Sequence, residues 1–128
     1  RQPPSHATIN AGAHYLYQNG PAVFKIAVVK MAETVEAIMQ RNDLNGDDIS
    51  FIVPHQANQR ILSAVAQRVG VDMDKVMVNI DKFGNTTAAT IPLCLWQYAS
   101  QLRPGNRLIL TTFGSGFTWG SAYVVWGS

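Results

Sequence analysis

The chain has little of what disulfide-bonded, zinc-binding and nucleic-acid-binding proteins require. It has one cysteine, Cys94, which excludes an internal disulfide and a cysteine-based zinc cluster and fits a reducing compartment. Its 10 basic and 8 acidic residues leave a net charge of +2, and the basic residues are spread along the chain. Nucleic acid needs a concentrated basic stripe instead. We therefore expect no bound metal, no nucleic acid and a cytoplasmic location.

The chain also lacks a long hydrophobic run. No apolar stretch approaches the length of a membrane span, and no basic segment leads into an apolar one as in a signal peptide. We therefore expect no membrane association. The 128 residues, of which 47% are hydrophobic and only 14% charged, are enough for one domain with a sizeable core. The scarcity of charge predicts that much of the surface is buried against a partner.

Strands and helices are predicted to alternate after a polar start. Residues 1–14 are expected to be a tail or linker, and residues 15–128 to form the domain. Apolar residues at steps of three and four predict helices over 21–41, 56–69 and 88–102. Strands are predicted over 15–17, 51–53, 76–80, 107–112 and 118–126. The expected fold class is α/β, a mixed five-stranded sheet with helices on its faces.

Two short strings are expected where a strand gives way to a helix. PHQAN (residues 54–58) follows the second predicted strand, and GNTTAA (residues 84–89) follows the third. Each places a neutral hydrogen-bond donor, His55 or Asn85, at a helix N-terminus, which favours a negatively charged oxygen. From spacing alone two interpretations stay open. His55 is either functional or a helix cap, and Asn85 is either functional or a turn residue.

Other motifs have structural explanations. DLNGD (residues 43–47) imitates a calcium loop, but its glycine is misplaced and its twelfth position is proline, so a turn is predicted. GSGFTWG (residues 114–120) precedes a strand, which excludes a dinucleotide fingerprint and a nucleophile elbow. It is either a tight hairpin or a backbone site for an oxyanion. Cys94 lies between leucines and is predicted to be a core thiol. The two histidines of the first 14 residues are assigned to the surface.

Taken together and in order, three strings resemble the C-terminal half of β-ketoacyl-acyl carrier protein (ACP) synthase III, a condensing enzyme with the thiolase fold. They are VPHQANxRI (residues 53–61), NIDxFGNTTAATIP (residues 79–92) and FGSGFTWG (residues 113–120). The similarity runs from about residue 15 to residue 126. Other condensing enzymes of fatty acid synthesis carry a His–His pair, so His with Asn favours the type III branch.

The resemblance implies a decarboxylative Claisen condensation that initiates fatty acid synthesis. In that family a cysteine of the N-terminal half takes an acyl group from acyl-CoA, and malonyl-ACP loses CO₂ to give the attacking carbanion. His55 and Asn85 match the two neutral donors that hold the enolate. Gly114, Ser115 and Gly116 match the loop whose backbone N–H holds the second oxyanion. No cofactor is implied, because acyl-CoA and malonyl-ACP are substrates.

The resemblance also implies binding surfaces and partners. Positions that match the lining of the pantetheine tunnel are Gly20, Phe24, Ala57 and Asn58. Asn58 has the alternative of bracing its loop. Basic positions in the region that faces the acidic carrier protein are Lys25, Arg60 and Arg68. The implied partners are the acyl carrier protein, acyl-CoA, the N-terminal half of the same enzyme and, in the full-length protein, a second copy in a homodimer.

The nucleophilic cysteine of the family has no counterpart on this chain, since Cys94 matches no catalytic position. We therefore expect the chain to be a C-terminal half that is inactive by itself. A non-catalytic partner subunit or binding module of the thiolase superfamily is one alternative. An unrelated hydrolase that pairs His55 with a serine is another, disfavoured because no nucleophile elbow exists.

Overall fold

A computed structural model describes residues 3–15 and 17–127, and within them helices and strands alternate. The helices are α1 (His6–Asn10), α2 (Gly20–Arg41), α3 (Gln59–Arg68), α4 (Ile80–Phe83) and α5 (Thr90–Gln97). The strands are β1 (Phe51–Pro54), β2 (Arg107–Gly114) and β3 (Thr118–Val125). Two turns of 3-10 helix, Met73–Lys75 and Thr87–Ala89, precede α4 and α5. The predicted α/β class is confirmed.

The sheet of the described residues is mixed, as predicted, and has the strand order β1-β2-β3. β1 and β2 run parallel, with Phe51 opposite Leu108, and β2 and β3 run antiparallel, with Gly114 opposite Thr118. Because β1 and β2 are parallel, their carboxyl ends lie at the same edge of the sheet. The PHQAN string and the β2–β3 hairpin both begin at that edge, where ligand sites of α/β sheets form.

The prediction of five strands is wrong, because the described residues form three. The stretch 76–80 makes a single bridge to β1, at Val76. Side chains form hydrogen bonds with the backbone N–H and C=O groups that a longer strand would pair with its neighbour. The Tyr98 hydroxyl pairs with the N–H and the carbonyl of Val78, both at 3.2 Å. The Asn79 N–H donates to Gln56 Oε1 at 3.0 Å, so pairing ends and α4 begins at the next residue.

The N-terminal segment also differs from expectation. The segment is not loop throughout but contains the short helix α1. A capping box between Ser5 and Thr8 stabilises the N-terminus of this helix. The strand predicted over 15–17 includes Leu16, which lies outside the described residues, and the flanking Tyr15 and Tyr17 are exposed and in no strand. The division of the chain after residue 14 stays a prediction.

Helices cover both faces of the sheet, as predicted. α2 carries a stripe of buried residues that packs with α3 against one face, where Ile52 and Ile109 point. α5 packs against the other face, where Val53 and Leu108 point. Neighbouring strand residues alternate between the two clusters, as strand geometry requires. β1 and β2 are therefore buried on both sides, and the edge formed by their carboxyl ends is left for a site.

Two helices are shorter than predicted. α3 begins at Gln59, because the Asn58 side chain accepts the Arg60 N–H at 2.9 Å and so caps the helix. The helix predicted over 88–102 is a 3-10 turn followed by α5, which ends at Gln97. Pro92 lies in the first turn of α5, where its missing N–H leaves no intrahelical bond unmade.

Candidate active site

A cavity of about 630 Å³ opens at the sheet edge where β1 and β2 end. Its walls come from the start of α2, the PHQAN string, the GNTTAA string and the β2–β3 hairpin. The predicted site residues that line it are His55, Asn85, Gly114, Ser115, Gly20, Phe24, Ala57 and Asn58. Gly116 and the three basic residues are not among its lining residues. The structure thus brings together strings that lie far apart in the chain.

His55 directly follows β1 and is held through its backbone and its ring. Its N–H donates to the Thr111 carbonyl at 2.8 Å, which extends the β1–β2 pairing by one residue. Ring atom Nδ1 lies 2.7 Å from Thr90 Oγ1. The side chain is half-buried, and this burial lowers the pKa of His55 below its ordinary value of 6.5. The imidazole is therefore neutral at pH 7 and carries one N–H.

Asn85 follows a glycine whose backbone few other residues can adopt. Gly84 has φ 65° and ψ −157°, a region that is costly for any residue with a side chain. This glycine ends α4 and turns the chain so that Asn85 borders the cavity. Asn85 Oδ1 accepts the Thr87 N–H at 2.9 Å. The carboxamide oxygen therefore already accepts a hydrogen bond, and the carboxamide NH₂ group is the donor that faces no such claim in the turn.

The helix N-termini lie further from the two donors than predicted. His55 lies three residues before Asn58, the N-cap of α3, whereas Asn85 directly precedes Thr86, the N-cap of the 3-10 turn that leads into α5. The expectation of a donor at a helix N-terminus is wrong for His55, because Asn58 caps α3, whereas Asn85 lies at the start of a 3-10 turn and accepts its first N–H. The helix dipole falls off within the first turn, so α3 adds little partial positive charge at His55.

Gln56, to which the sequence analysis assigned no role, ties the two donor strings together. The side chain is fully buried. Its Nε2 donates to the Pro54 carbonyl at 2.9 Å and to the Met77 carbonyl at 3.0 Å. Its Oε1 accepts the Asn79 N–H. One amide thus joins the end of β1 to the segment that leads to Asn85. The only signal in the sequence was a polar residue expected to follow a buried strand.

Thr90 is the second residue that sequence reasoning missed. It is 1% exposed and is the first residue of α5. Its hydroxyl lies against the ring of His55 and is also 3.1 Å from the Thr87 carbonyl oxygen. A threonine at a helix start is ordinary in sequence, and its contact with His55 joins residues 35 positions apart.

The glycine string forms a tight hairpin, as one of its two interpretations predicted. Gly114 ends β2, and Thr118 begins β3 and donates its hydroxyl to the Ser115 carbonyl at 3.1 Å. Gly116 has φ 143°, and a Cβ there would lie 3.0 Å from the Thr118 side chain, so glycine is required. Ser115 does not adopt a positive φ and is accommodated in the turn. A backbone oxyanion role for this loop stays a prediction.

The three predicted basic residues are exposed and differ in their distance from the cavity. Lys25 and Arg60 each neighbour a residue that lines it. Arg68 ends α3 at its far end, and its Nε lies 3.7 Å from Glu36 Oε1. Lys25 and Arg60 therefore adjoin the cavity lining in sequence, whereas Arg68 does not.

Cys94 is fully buried in α5, which confirms the prediction of a core thiol. Burial raises its pKa to about 11, so the sulfur stays protonated at neutral pH. In residues 3–15 and 17–127 there is no group of three or more His, Cys, Asp or Glu side chains placed to hold a metal ion. Over the same residues, no helix has the length and apolar character to cross a membrane.

Known proteins resemble this chain along most of its length. Residues 39–126 match a family model described as 3-oxoacyl-[acyl-carrier-protein] synthase III, C terminal. A β-ketoacyl-[acyl-carrier-protein] synthase III of Porphyromonas gingivalis is 54% identical over 124 residues, which cover 97% of this chain and 37% of that protein. Its counterpart in Chlorobium chlorochromatii is 52% identical, over 98% of this chain and 39% of that protein.

Solved structures show the same fold. The crystal structure of 3-oxoacyl-(acyl carrier protein) synthase III from Pseudomonas aeruginosa superimposes with a TM-score of 0.85 at 42% identity. The match covers 91% of this chain and 37% of that one. The synthase III from Aquifex aeolicus gives the same TM-score at 34% identity. The chain thus spans less than two fifths of the length of the relatives it matches.

Proposed function

Because the chain belongs to the 3-oxoacyl-[acyl-carrier-protein] synthase III family, whose C-terminal model it matches, we propose that it supplies the enolate-binding half of a condensing active site. In the proposed reaction malonyl-ACP loses CO₂ and attacks an acyl group that a cysteine has taken from acyl-CoA. The observation that carries this proposal is that His55 and Asn85, from separate strings, border one cavity. The thiolase-like fold of the solved relatives supports it.

The chemistry of decarboxylation explains why both donors are neutral. When the bond between the malonyl C2 and its carboxylate breaks, the electron pair moves onto the thioester and places negative charge on its oxygen. A neutral imidazole N–H and a carboxamide N–H can hold that oxygen without transferring a proton that would quench the carbanion. The lowered pKa of His55 keeps the ring neutral. Asp in place of Asn85 would instead repel the enolate.

The β2–β3 hairpin is proposed to serve the second half of the reaction. The enolate carbon attacks the acyl-cysteine carbonyl, a tetrahedral oxyanion forms, and its collapse expels the cysteine thiolate. Gly114 and Ser115 border the same cavity as both side-chain donors, which supports a role for a backbone N–H of this loop in holding that oxyanion. The cysteine itself is proposed to come from the N-terminal part of the whole enzyme, since Cys94 is buried and protonated.

The cavity fits the arm of a thioester substrate. Its volume lies within the range of about 300–1,000 Å³ that is usual for ligand pockets. Gly20, Phe24 and Ala57 are proposed to contact the pantetheine chain. The hydrogen bond from the Arg60 N–H to Asn58 favours the bracing alternative for that asparagine. Lys25 and Arg60, exposed beside the cavity, are proposed to attract the acidic carrier protein.

We propose that the activity belongs to the whole enzyme, a cytoplasmic homodimer that needs no cofactor, and that this chain is inactive by itself. The test therefore uses a full-length synthase that carries this chain as its C-terminal part. His55→Ala and Asn85→Ala should each lower malonyl-ACP decarboxylation and condensation about 100- to 1,000-fold. Transfer of the acyl group from acyl-CoA to the enzyme should persist in both variants.

Two matched controls remove a histidine and an asparagine side chain outside the cavity. His14→Ala and Asn10→Ala change exposed residues outside the cavity and should leave both rates unchanged. Condensation at wild-type rates in the His55 and Asn85 variants would contradict the proposal. If the unsubstituted enzyme binds malonyl-ACP and never decarboxylates it, the non-catalytic binding module is favoured instead.

A further inference from the structure

The two ring nitrogens of His55 have different surroundings. Nδ1 lies 2.7 Å from Thr90 Oγ1, which is a short hydrogen bond. Nε2 has no hydrogen-bond partner among the described residues, and His55 borders the cavity. A neutral imidazole carries its proton on one nitrogen only, and the partner of the other decides which. Whether His55 presents an N–H or a lone pair to the cavity therefore depends on its hydrogen bond with Thr90.

The Thr90 hydroxyl has one proton and two acceptors within reach. One is His55 Nδ1 at 2.7 Å, and the other is the Thr87 carbonyl oxygen at 3.1 Å. That carbonyl already accepts the backbone N–H of Thr90. The carbonyl is thus satisfied without the hydroxyl, whereas the half-buried Nδ1 has no other partner among the described residues. The shorter contact to Nδ1, together with the backbone N–H that the carbonyl already accepts, favours donation of the hydroxyl proton to the ring.

We propose that Thr90 is a positioning residue that donates its hydroxyl proton to Nδ1 and so holds His55 as the Nε2–H tautomer. This inference rests on the proposed function, in which His55 must present an N–H to the enolate oxygen. If Thr90 instead accepted a proton from Nδ1, the Nε2 lone pair would face the cavity and repel that oxygen. Thr90 is 1% exposed, so bulk water does not readily replace it.

Two substitutions separate the hydroxyl from the shape of the side chain. Thr90→Val keeps the volume and removes the hydroxyl, whereas Thr90→Ser keeps the hydroxyl and removes a methyl group. In the full-length synthase that carries this chain, we expect Thr90→Val to lower malonyl-ACP decarboxylation about 10- to 100-fold, because the Nε2–H tautomer that donates to the enolate oxygen is no longer favoured. Thr90→Ser should stay within about threefold of the unsubstituted enzyme. A purely structural role predicts the reverse order.

The tautomer is read directly in the unsubstituted enzyme, which keeps the test valid even if Thr90→Val does not fold. With ¹⁵N-labelled histidine and His55→Gln for assignment, we expect the His55 signals to place the proton on Nε2. A proton on Nδ1, unimpaired Thr90→Val enzyme, or equal losses in the Val and Ser variants would each overturn the inference. If His55→Ala abolishes decarboxylation while Thr90→Val does not affect it, the inference fails and the proposed function stands.

Discussion

Replacing Gln56 by leucine should destabilise the fold more than any exposed substitution. The Gln56→Leu change keeps a buried side chain of similar size and removes three hydrogen bonds, of 2.9, 3.0 and 3.0 Å. The carbonyls of Pro54 and Met77 and the N–H of Asn79 then lose this partner in the interior. Each unsatisfied buried group costs about 1–3 kcal/mol, and the added apolar burial offsets part of the total. We expect a loss of about 3–5 kcal/mol in the free energy of unfolding.

The assay is urea denaturation followed by circular dichroism, with Gln67→Leu as the matched control. Gln67 lies exposed on α3, so its replacement should change the free energy of unfolding by no more than about 0.5 kcal/mol. Because Gln56 also holds the segment that leads to Asn85, malonyl-ACP decarboxylation by the full-length enzyme should fall as well. A Gln56→Leu protein as stable as the control would refute the reasoning that this amide joins the two strings.

Three further predictions concern pH, thiol chemistry and the backbone. The pKa of His55 is lowered in the folded state, so the unfolded chain binds the proton first as the pH falls, and the free energy of unfolding should decline below about pH 6.5. Urea midpoints measured across this pH range should show the decline, and His55→Gln should remove the part that His55 causes. Cys94, buried and with a pKa of about 11, should resist alkylation at pH 8 until the protein unfolds, and fast alkylation of native protein would contradict its burial. Gly84→Ala should lower the free energy of unfolding by about 1–3 kcal/mol, because Gly84 has φ 65°. The control Gly120→Ala, where an added Cβ meets nothing within 4 Å, should lower it less. Equal thermal midpoints of the two variants would refute the role given to Gly84.

The sequence was sufficient to single out His55 and Asn85, which the structure brings to one cavity, because each lies in a continuous string whose local pattern and family resemblance can be read directly. The residues that position them could not be found in this way. Thr90 meets His55 across 35 positions, and Gln56 meets Met77 and Asn79 across 21 and 23. Such roles depend on tertiary contacts that no local pattern encodes.

The error in strand number has the same origin. Residues 76–80 have the composition of a strand, but the Tyr98 hydroxyl and the Gln56 amide take the backbone groups of Val78 and Asn79. The helix boundaries failed for a more local reason. The Asn58 side chain caps α3 and shortens it, which a stricter reading of capping preferences would have predicted.

The central claim is that His55 and Asn85 hold the same oxygen. It is tested most directly by a crystal structure of the full-length synthase with a malonyl thioester analogue that cannot lose CO₂. The account predicts that His55 Nε2 and Asn85 Nδ2 both lie about 2.7–3.1 Å from the thioester carbonyl oxygen. A bound analogue whose carbonyl oxygen lies beyond hydrogen-bonding distance of either donor would contradict it.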